Sequence, residues 1–246
     1  MAQVIEIFSP TWWAWLSPTI GLVIVLLFFT SKANNKQKQY IRWTVAGMLL
    51  LSATLIHPYL YFSGKWTVQT SLPFHMCTIA QWLAIFALLK PRQWLFDVLV
   101  FWGIAGGMNA LLTPQPLHGG EFPVFLEYFL EHGGIVFVPL FLVLAFHMKP
   151  SKNSWIWVFL FTQLVLLIMA VFNFYTGSNY FFTVNKPIAD SPFVIGEWPF
   201  YIFGFQFFGL LQFYGIYYVL RKLKSKASLS GQKDLFFSSP VSSNEV

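Results

Sequence analysis

The chain has 246 residues, 57% of them hydrophobic, 20% aromatic and 10% charged, with a mean hydropathy of +0.61. An ordinary soluble domain is about 25% charged, so this composition excludes a water-exposed globular protein and implies a chain solvated by lipid. The formal charge of +6 sits in short gaps between apolar segments, where it faces anionic lipid and sets orientation rather than signalling nucleic-acid binding.

Seven apolar segments follow one another at about 11–30, 41–62, 73–89, 94–113, 125–148, 155–175 and 200–220. Each is near the ~20 residues a helix needs to cross ~30 Å of hydrocarbon. The expected fold is all-α, a polytopic membrane protein of seven transmembrane helices. Lys32, Lys36, Lys38 and Arg42 fill the first gap, Lys90 and Arg92 the third, and Lys149 and Lys152 the fifth. Arg221, Lys222, Lys224, Lys226 and Lys233 follow the last segment. The alternate gaps hold only Lys65 and Lys186, alongside Glu6, Glu121, Glu127, Glu131, Asp190 and Glu197. The positive-inside rule then places the N-terminus outside and the C-terminus in the cytoplasm, as an odd number of spans requires. One transmembrane domain over 1–222 is expected, with 223–246, rich in Ser and Lys, as a disordered cytoplasmic tail.

The first segment opens with Thr11-Trp12-Trp13-Ala14-Trp15, indoles suited to the outer interface, and carries Pro18, which predicts a kink. It has no basic region before it and no small-residue cleavage site after it, so it reads as a retained span. His57-Pro58 lies near the outer end of the second segment. Ser71-Leu72-Pro73 reads as the start of the third helix, with a capping hydroxyl and a first-turn proline, and His75 and Cys77 follow at once. Gly103 and Gly107 predict a close helix contact on the fourth, with Asn109 further out. Glu127, Glu131, His132, Gly133 and Gly134 mark the outer approach of the fifth, and Asn173 closes the sixth. The loop 176–199 is rich in Gly, Pro and aromatics and reads as a lid.

Depth groups the polar residues. His57, His75, Cys77, Asn109, His132 and Asn173 all fall in the outer third of their spans; His147 ends the fifth segment at the inner face, and Asp97 near Arg92 reads as a surface ion pair. No carboxylate falls near the bilayer centre, which weighs against an ion-coupled pump. Lipid cannot satisfy polar side chains at that depth, so they should turn inward to a pocket. The single cysteine excludes an internal disulfide and a Cys-rich metal site. Cys77 lies within two turns of a helix start, where the dipole favours a thiolate. His75, two positions earlier, points about 200° away around the helix, whereas Gln81 shares the Cys77 face. The base is therefore expected from another helix, His132 or His57, with Asn109, Asn173 or Gln81 stabilising an oxyanion. A Cys77 packed among aliphatic side chains with no imidazole in reach would instead be structural.

Leu72-Pro73-Phe74-His75-Met76-Cys77, Glu131-His132-Gly133, Asn173 with Thr176-Gly177-Ser178-Asn179-Tyr180, and Gly196-Glu197-Trp198-Pro199-Phe200-Tyr201 together resemble the YwaF-type family of bacterial integral membrane proteins. That family is the bacterial branch of a group that also holds a vertebrate transmembrane acyltransferase, and the resemblance runs from about residue 40 to 220. It implies a multi-pass fold in a bacterial cell membrane. Through the vertebrate branch it implies cysteine-dependent transfer of fatty acyl chains between phospholipids, with Cys77 as nucleophile.

The leading reading is a lipid acyltransferase or lipid hydrolase working at the outer leaflet without a cofactor. Cys77, His132 and His57 are the catalytic candidates, and His75, Gln81, Asn109, Asn173, Asn179 and Tyr180 the substrate-binding ones. Its partners are the lipid bilayer and a phospholipid substrate, with no nucleic acid; the pattern sets no oligomeric state. A metal-dependent hydrolase with His57, His75 and His132 as ligands competes, although no H-x-x-x-H pair supports it. A non-enzymatic transporter or sensor of a small polar solute also fits the outer pocket, and the scarcity of inner-half polar groups argues against a through-path.

Overall fold

With no water to solvate peptide groups, long apolar segments satisfy their backbone internally as helices. The computed structural model describes residues 2–189, 191 and 193–222, and these form helices with no strand. Helix α1 spans Pro10–Lys32, α2 Asn35–Phe62, α3 Met76–Leu89, α4 Gln93–Leu112, α5 Phe122–Phe146, α6 Ser154–Thr176 and α7 Phe200–Lys222. A π-helical segment, Trp102–Gly106, interrupts α4, and a 3₁₀ turn occupies Tyr180–Phe182. The tail expected at 223–246 lies outside the described residues.

Six of these helices are long and apolar enough to cross a bilayer, and α3 is a shorter apolar helix of 14 residues. At 1.5 Å per residue it covers about 21 Å. It begins at Met76 rather than at Pro73 because the Ser71 hydroxyl is engaged elsewhere. That hydroxyl accepts the Thr67 N–H at 3.1 Å and lies 3.0 Å from His118 Nε2; His75 is the N-cap and makes no side-chain capping bond. Helix α1 continues through Pro18 without interruption. Pro18 is exposed, so its ring displaces no neighbouring helix.

The core is built on α4 and α5. Residues from Leu95 through Gly103 are buried without a break, as in a helix enclosed on all sides. A Cβ on Gly103 would collide with the Ile135 carbonyl, and one on Gly107 would stand 2.7 Å from Val136 Cγ2. Bare backbone on α4 is what lets α5 approach. Helices α1 and α2 pack on α5, α3 fills the corner between α2, α4 and α5, and α6 lies against α4. Helix α7 rests on both α6 and α4 and is the least enclosed of the long helices.

The ends of the bundle differ in chemistry. At one end Arg42 donates to the carbonyls of Leu88 and, at 2.7 Å, Leu89, and Arg221 donates to the Pro150 carbonyl at 3.1 Å. Asp97 belongs to this end as a buried residue, not a surface partner of Arg92. Its Oδ1 accepts from Gln93 Nε2 at 2.9 Å and from the Ser151 N–H at 3.0 Å, tying the start of α4 to the α5–α6 loop. At the other end three loops, 63–75, 113–121 and 177–199, interlock. Tyr180 Oη accepts the Leu72 N–H at 2.9 Å and donates to the Val68 carbonyl at 2.7 Å. Gln115 Oε1 accepts the Ala189 N–H at 2.8 Å, and Lys65 pairs with Glu121.

Candidate functional site

Under the interlocked loops lies a cavity of about 390 Å³, within the ~300–1,000 Å³ typical of ligand sites. His57 from α2, His75, Cys77 and Gln81 from the α3 region, Asn109 from α4, and Glu127, Tyr128, Glu131 and His132 from α5 all line it, with His118 from the loop above. The opposite wall is mostly apolar, from Phe159 and Leu166 on α6 and Ile202, Phe205, Phe208, Gly209 and Phe213 on α7, with Thr162, Gln206 and Gln212 set among them. Phe181 and Phe182, both in the left-handed region at φ 57° and 53°, also face it. Bulky residues adopt that conformation at a cost of about 1–3 kcal/mol each, so the loop is held there by its surroundings.

Of the residues singled out from the sequence, His57, His75, Cys77, Gln81, Asn109 and His132 share this cavity; Asn173, Asn179 and Tyr180 do not line it. Asn173 is buried as the anchor of the lid. Its Nδ2 donates to the Tyr180 carbonyl at 2.8 Å and to Thr183 Oγ1 at 2.7 Å, and its Oδ1 accepts the Tyr180 N–H at 3.0 Å. Asn179 closes the next turn, its Oδ1 accepting the N–H groups of Val184 and Asn185. The buried backbone of Tyr180 needs internal partners, and Asn173 supplies them, whereas Asn179 closes an exposed turn.

Hydrogen bonding separates the two candidate bases. Nδ1 of His132 lies 2.6 Å from the Tyr128 carbonyl, which only accepts, so in neutral His132 the proton is on Nδ1 and Nε2 has the lone pair. Nδ1 of His57 accepts the indole N–H of Trp66 at 3.3 Å, so in neutral His57 the proton is on Nε2. His132 is therefore arranged to take a proton and His57 to give one. Gln81 is loosely held, its Nε2 3.4 Å from both the Leu49 carbonyl and Ser52 Oγ, and its Oε1 has no protein partner. Asn109 is committed to a reciprocal amide pair with Gln212, 3.1 Å in each direction.

Cys77 reaches the cavity but also packs on the apolar core. Among the described residues no imidazole is hydrogen-bonded to its Sγ. The π-helical segment passes beside it: a Cβ on Gly106 would sit 3.5 Å from Sγ and 2.6 Å from Met76 Cε. Insertions of this kind in a helix are frequent at functional sites.

Three further wall residues are not among the catalytic or binding candidates read from the sequence. Glu127 and Glu131 are in the first turns of α5 and face inward; Glu131 Oε2 lies 3.7 Å from His132 Nδ1, and its buried Oε1 meets no protein donor. Glu127 and Glu131 stand at i and i+4 on one helix face, and that spacing was the available signal. His118 lies in a loop, where only the topology, which returns the α4–α5 loop to the His57 end, would have shown its position. Burial, then the neighbouring His57, lowers the His118 imidazole from its ordinary value of about 6.5 to about 4. A depressed value means that His118 favours the closed loops above its ordinary value. That contribution is lost as pH falls from about 6.5 toward 4. Protection factors for amide exchange across 113–121, which remove the intrinsic slowing of exchange at low pH, should fall over that window in the wild type and stay level in His118→Gln. Among the described residues no group of three His, Cys, Asp or Glu side chains is placed to hold a metal ion.

The family model of the TMEM164 family matches residues 7–217. The chain belongs to the TMEM164 family. It is a multi-pass membrane protein of that family, and the matched residues run from before α1 almost to the end of α7, so they include every wall of the cavity. No curated protein and no solved structure matches the chain.

Proposed function

We propose that this TMEM164-family protein is a membrane-embedded acyltransferase that carries a lipid acyl chain on Cys77. The observation that carries this reading is that the chain's one thiol and an imidazole with an uncommitted Nε2 lone pair line the same cavity. In the first step His132 Nε2 takes the thiol proton and Sγ attacks the ester carbonyl of a phospholipid. The tetrahedral oxyanion accepts a hydrogen bond from Gln81 Nε2–H, whose contacts to the Leu49 carbonyl and Ser52 Oγ are both long at 3.4 Å and can be given up. Collapse breaks the C–O bond, and the His132 imidazolium returns its proton to the departing lysolipid oxygen. In the second step the hydroxyl of an acceptor lysolipid gives its proton to His132 and attacks the thioester; the thiolate leaves and recovers that proton. With water as acceptor the same steps are hydrolysis. Sγ and imidazole come together when substrate is bound, as catalytic hydrogen bonds often do.

Detergent-purified protein given a phospholipid with a radiolabelled acyl chain and an unlabelled lysophospholipid should transfer label to the acceptor. Absence of both transfer and labelled fatty acid would refute the reading. One observation favours a second reading, a receptor for a small polar solute: Cys77 Sγ has no imidazole partner. That reading requires solute binding that survives Cys77→Ala with no acyl chemistry in the wild type.

The accompanying topology is seven crossings by one domain over 1–222, with the cavity at the outer leaflet of a bacterial cell membrane, as in the YwaF-type branch. The gathering of Arg42 and Arg221 at the end remote from the cavity supports this orientation. With Cys77 replaced, a cysteine introduced at position 36 should be shielded from an impermeant thiol reagent in intact cells, and one at 186 labelled. The reverse pattern would put the cavity at the cytoplasmic face.

A further inference from the structure

We infer, resting on the acyl-transfer reading, that Glu131 is a positioning residue whose carboxylate stabilises the imidazolium that His132 becomes in each step. The two residues are consecutive on α5, and their side chains converge: Glu131 Oε2 stands 3.7 Å from His132 Nδ1. That is the edge of the ring already held by the Tyr128 carbonyl, so the carboxylate leaves Nε2 free. Glu131 is 6% and His132 5% exposed, and an attraction between groups so far out of water is little screened. The carboxylate has no other counter-charge among the described residues. Its Oε1 is shut off from solvent and meets no protein donor, and no Lys or Arg lines the cavity. Lys65, in the loops above, is paired with Glu121. The other imidazoles on the wall are engaged elsewhere. His57 accepts the Trp66 indole N–H, His75 lies against the Tyr180 ring with centroids 4.8 Å apart, and His118 Nε2 is 3.0 Å from Ser71 Oγ. Glu127, one turn earlier, brings a second carboxyl to the wall and no positive charge.

A buried polar oxygen left without a donor is an exception that calls for a reason. Here the reason is a charge that exists only during the reaction. Neutral His132 gains little from Oε2. The imidazolium forms when Nε2 takes the thiol proton, and again when it takes the proton of the acceptor hydroxyl, and each time it meets a carboxylate already in place. Glu131 itself neither gives nor takes a proton. An interaction stronger with the charged ring than with the neutral one lowers the barrier without tightening the binding of substrate.

The test measures kcat and KM for transfer of a radiolabelled acyl chain from a phospholipid to a lysophospholipid, with the full-length protein in detergent. Glu131→Gln keeps the size of the side chain and removes its charge. Its kcat should fall by about tenfold or more, the effect of losing one opposite charge at such a distance, with KM near the wild-type value. Added to His132→Gln, the same change should cost nothing further, because no imidazolium forms there. A variant that merely folded badly would slow that background as well. Three results would overturn the inference while wild-type transfer and a slow His132→Gln leave the acyl-transfer reading standing: a wild-type kcat in Glu131→Gln, a loss confined to KM, or full additivity in the double variant. No transfer by the wild type, or wild-type rates in His132→Gln, would overturn both.

Discussion

Replacing Cys77 by alanine is expected to abolish acyl transfer, and replacing His132 by alanine to lower it by about 10⁴-fold or more, because nucleophile and base act as one unit. The double variant should then be scarcely slower than either single one. The two histidines should differ. His57 receives the Trp66 indole N–H on Nδ1 and offers only Nε2–H to the cavity, so His57→Ala removes a donor and should cost far less than His132→Ala. His132→Gln keeps a donor for the Tyr128 carbonyl but has no lone pair equivalent to Nε2, so it should be as inactive as His132→Ala while melting like the wild type. Initial rates of acyl transfer, with melting temperatures on the same samples, check all of this. Equal losses at His57 and His132, or full activity in Cys77→Ala, would contradict the assignment.

The second large effect is on stability and falls outside the cavity. Asn173→Ala removes the three hydrogen bonds that hold the 177–199 lid to α6. It leaves the Tyr180 N–H and C=O without partners where Asn173 is 2% and Tyr180 0% exposed. At about 1–3 kcal/mol for each buried group left unmade, the loss should be several kcal/mol, felt first in the lid. Because Tyr180 also holds residues 68–72 through its hydroxyl, two of the three loops over the cavity should loosen together. Limited proteolysis should show new cleavage at 177–199 and 63–75, with a lowered melting temperature. Asn173→Asp, which keeps an acceptor for the Tyr180 N–H but opposes a carboxylate to the Tyr180 carbonyl, should be no better. Wild-type melting and protease resistance in Asn173→Ala would contradict the anchor role.

The helical architecture was legible because hydropathy and backbone hydrogen bonding act locally: runs of apolar residues near span length can form little else in lipid. Boundaries set by tertiary partners were not. Ser71 and Pro73 have the chemistry of a helix start, yet Ser71 is taken by Thr67 and His118, and α3 starts later. Asp97 near Arg92 looked like a surface pair, but the Gln93 side chain and Ser151 backbone capture it. The site was legible in proportion to what depth alone determines. Residues at one level of a bundle meet if they face inward, and His57, Cys77, Gln81, Asn109 and His132 do. Depth could not separate Asn173, which is at the same level but turned toward the lid, and it said nothing of His118, which arrives from a loop.

The most direct measurement of the central claim is the intact mass of the wild-type protein after brief exposure to a phospholipid donor without acceptor. The account predicts one added acyl group per chain, mapped to Cys77, released by neutral hydroxylamine as a thioester must be, and absent from Cys77→Ala. An unmodified Cys77 in a preparation that transfers acyl chains would contradict it.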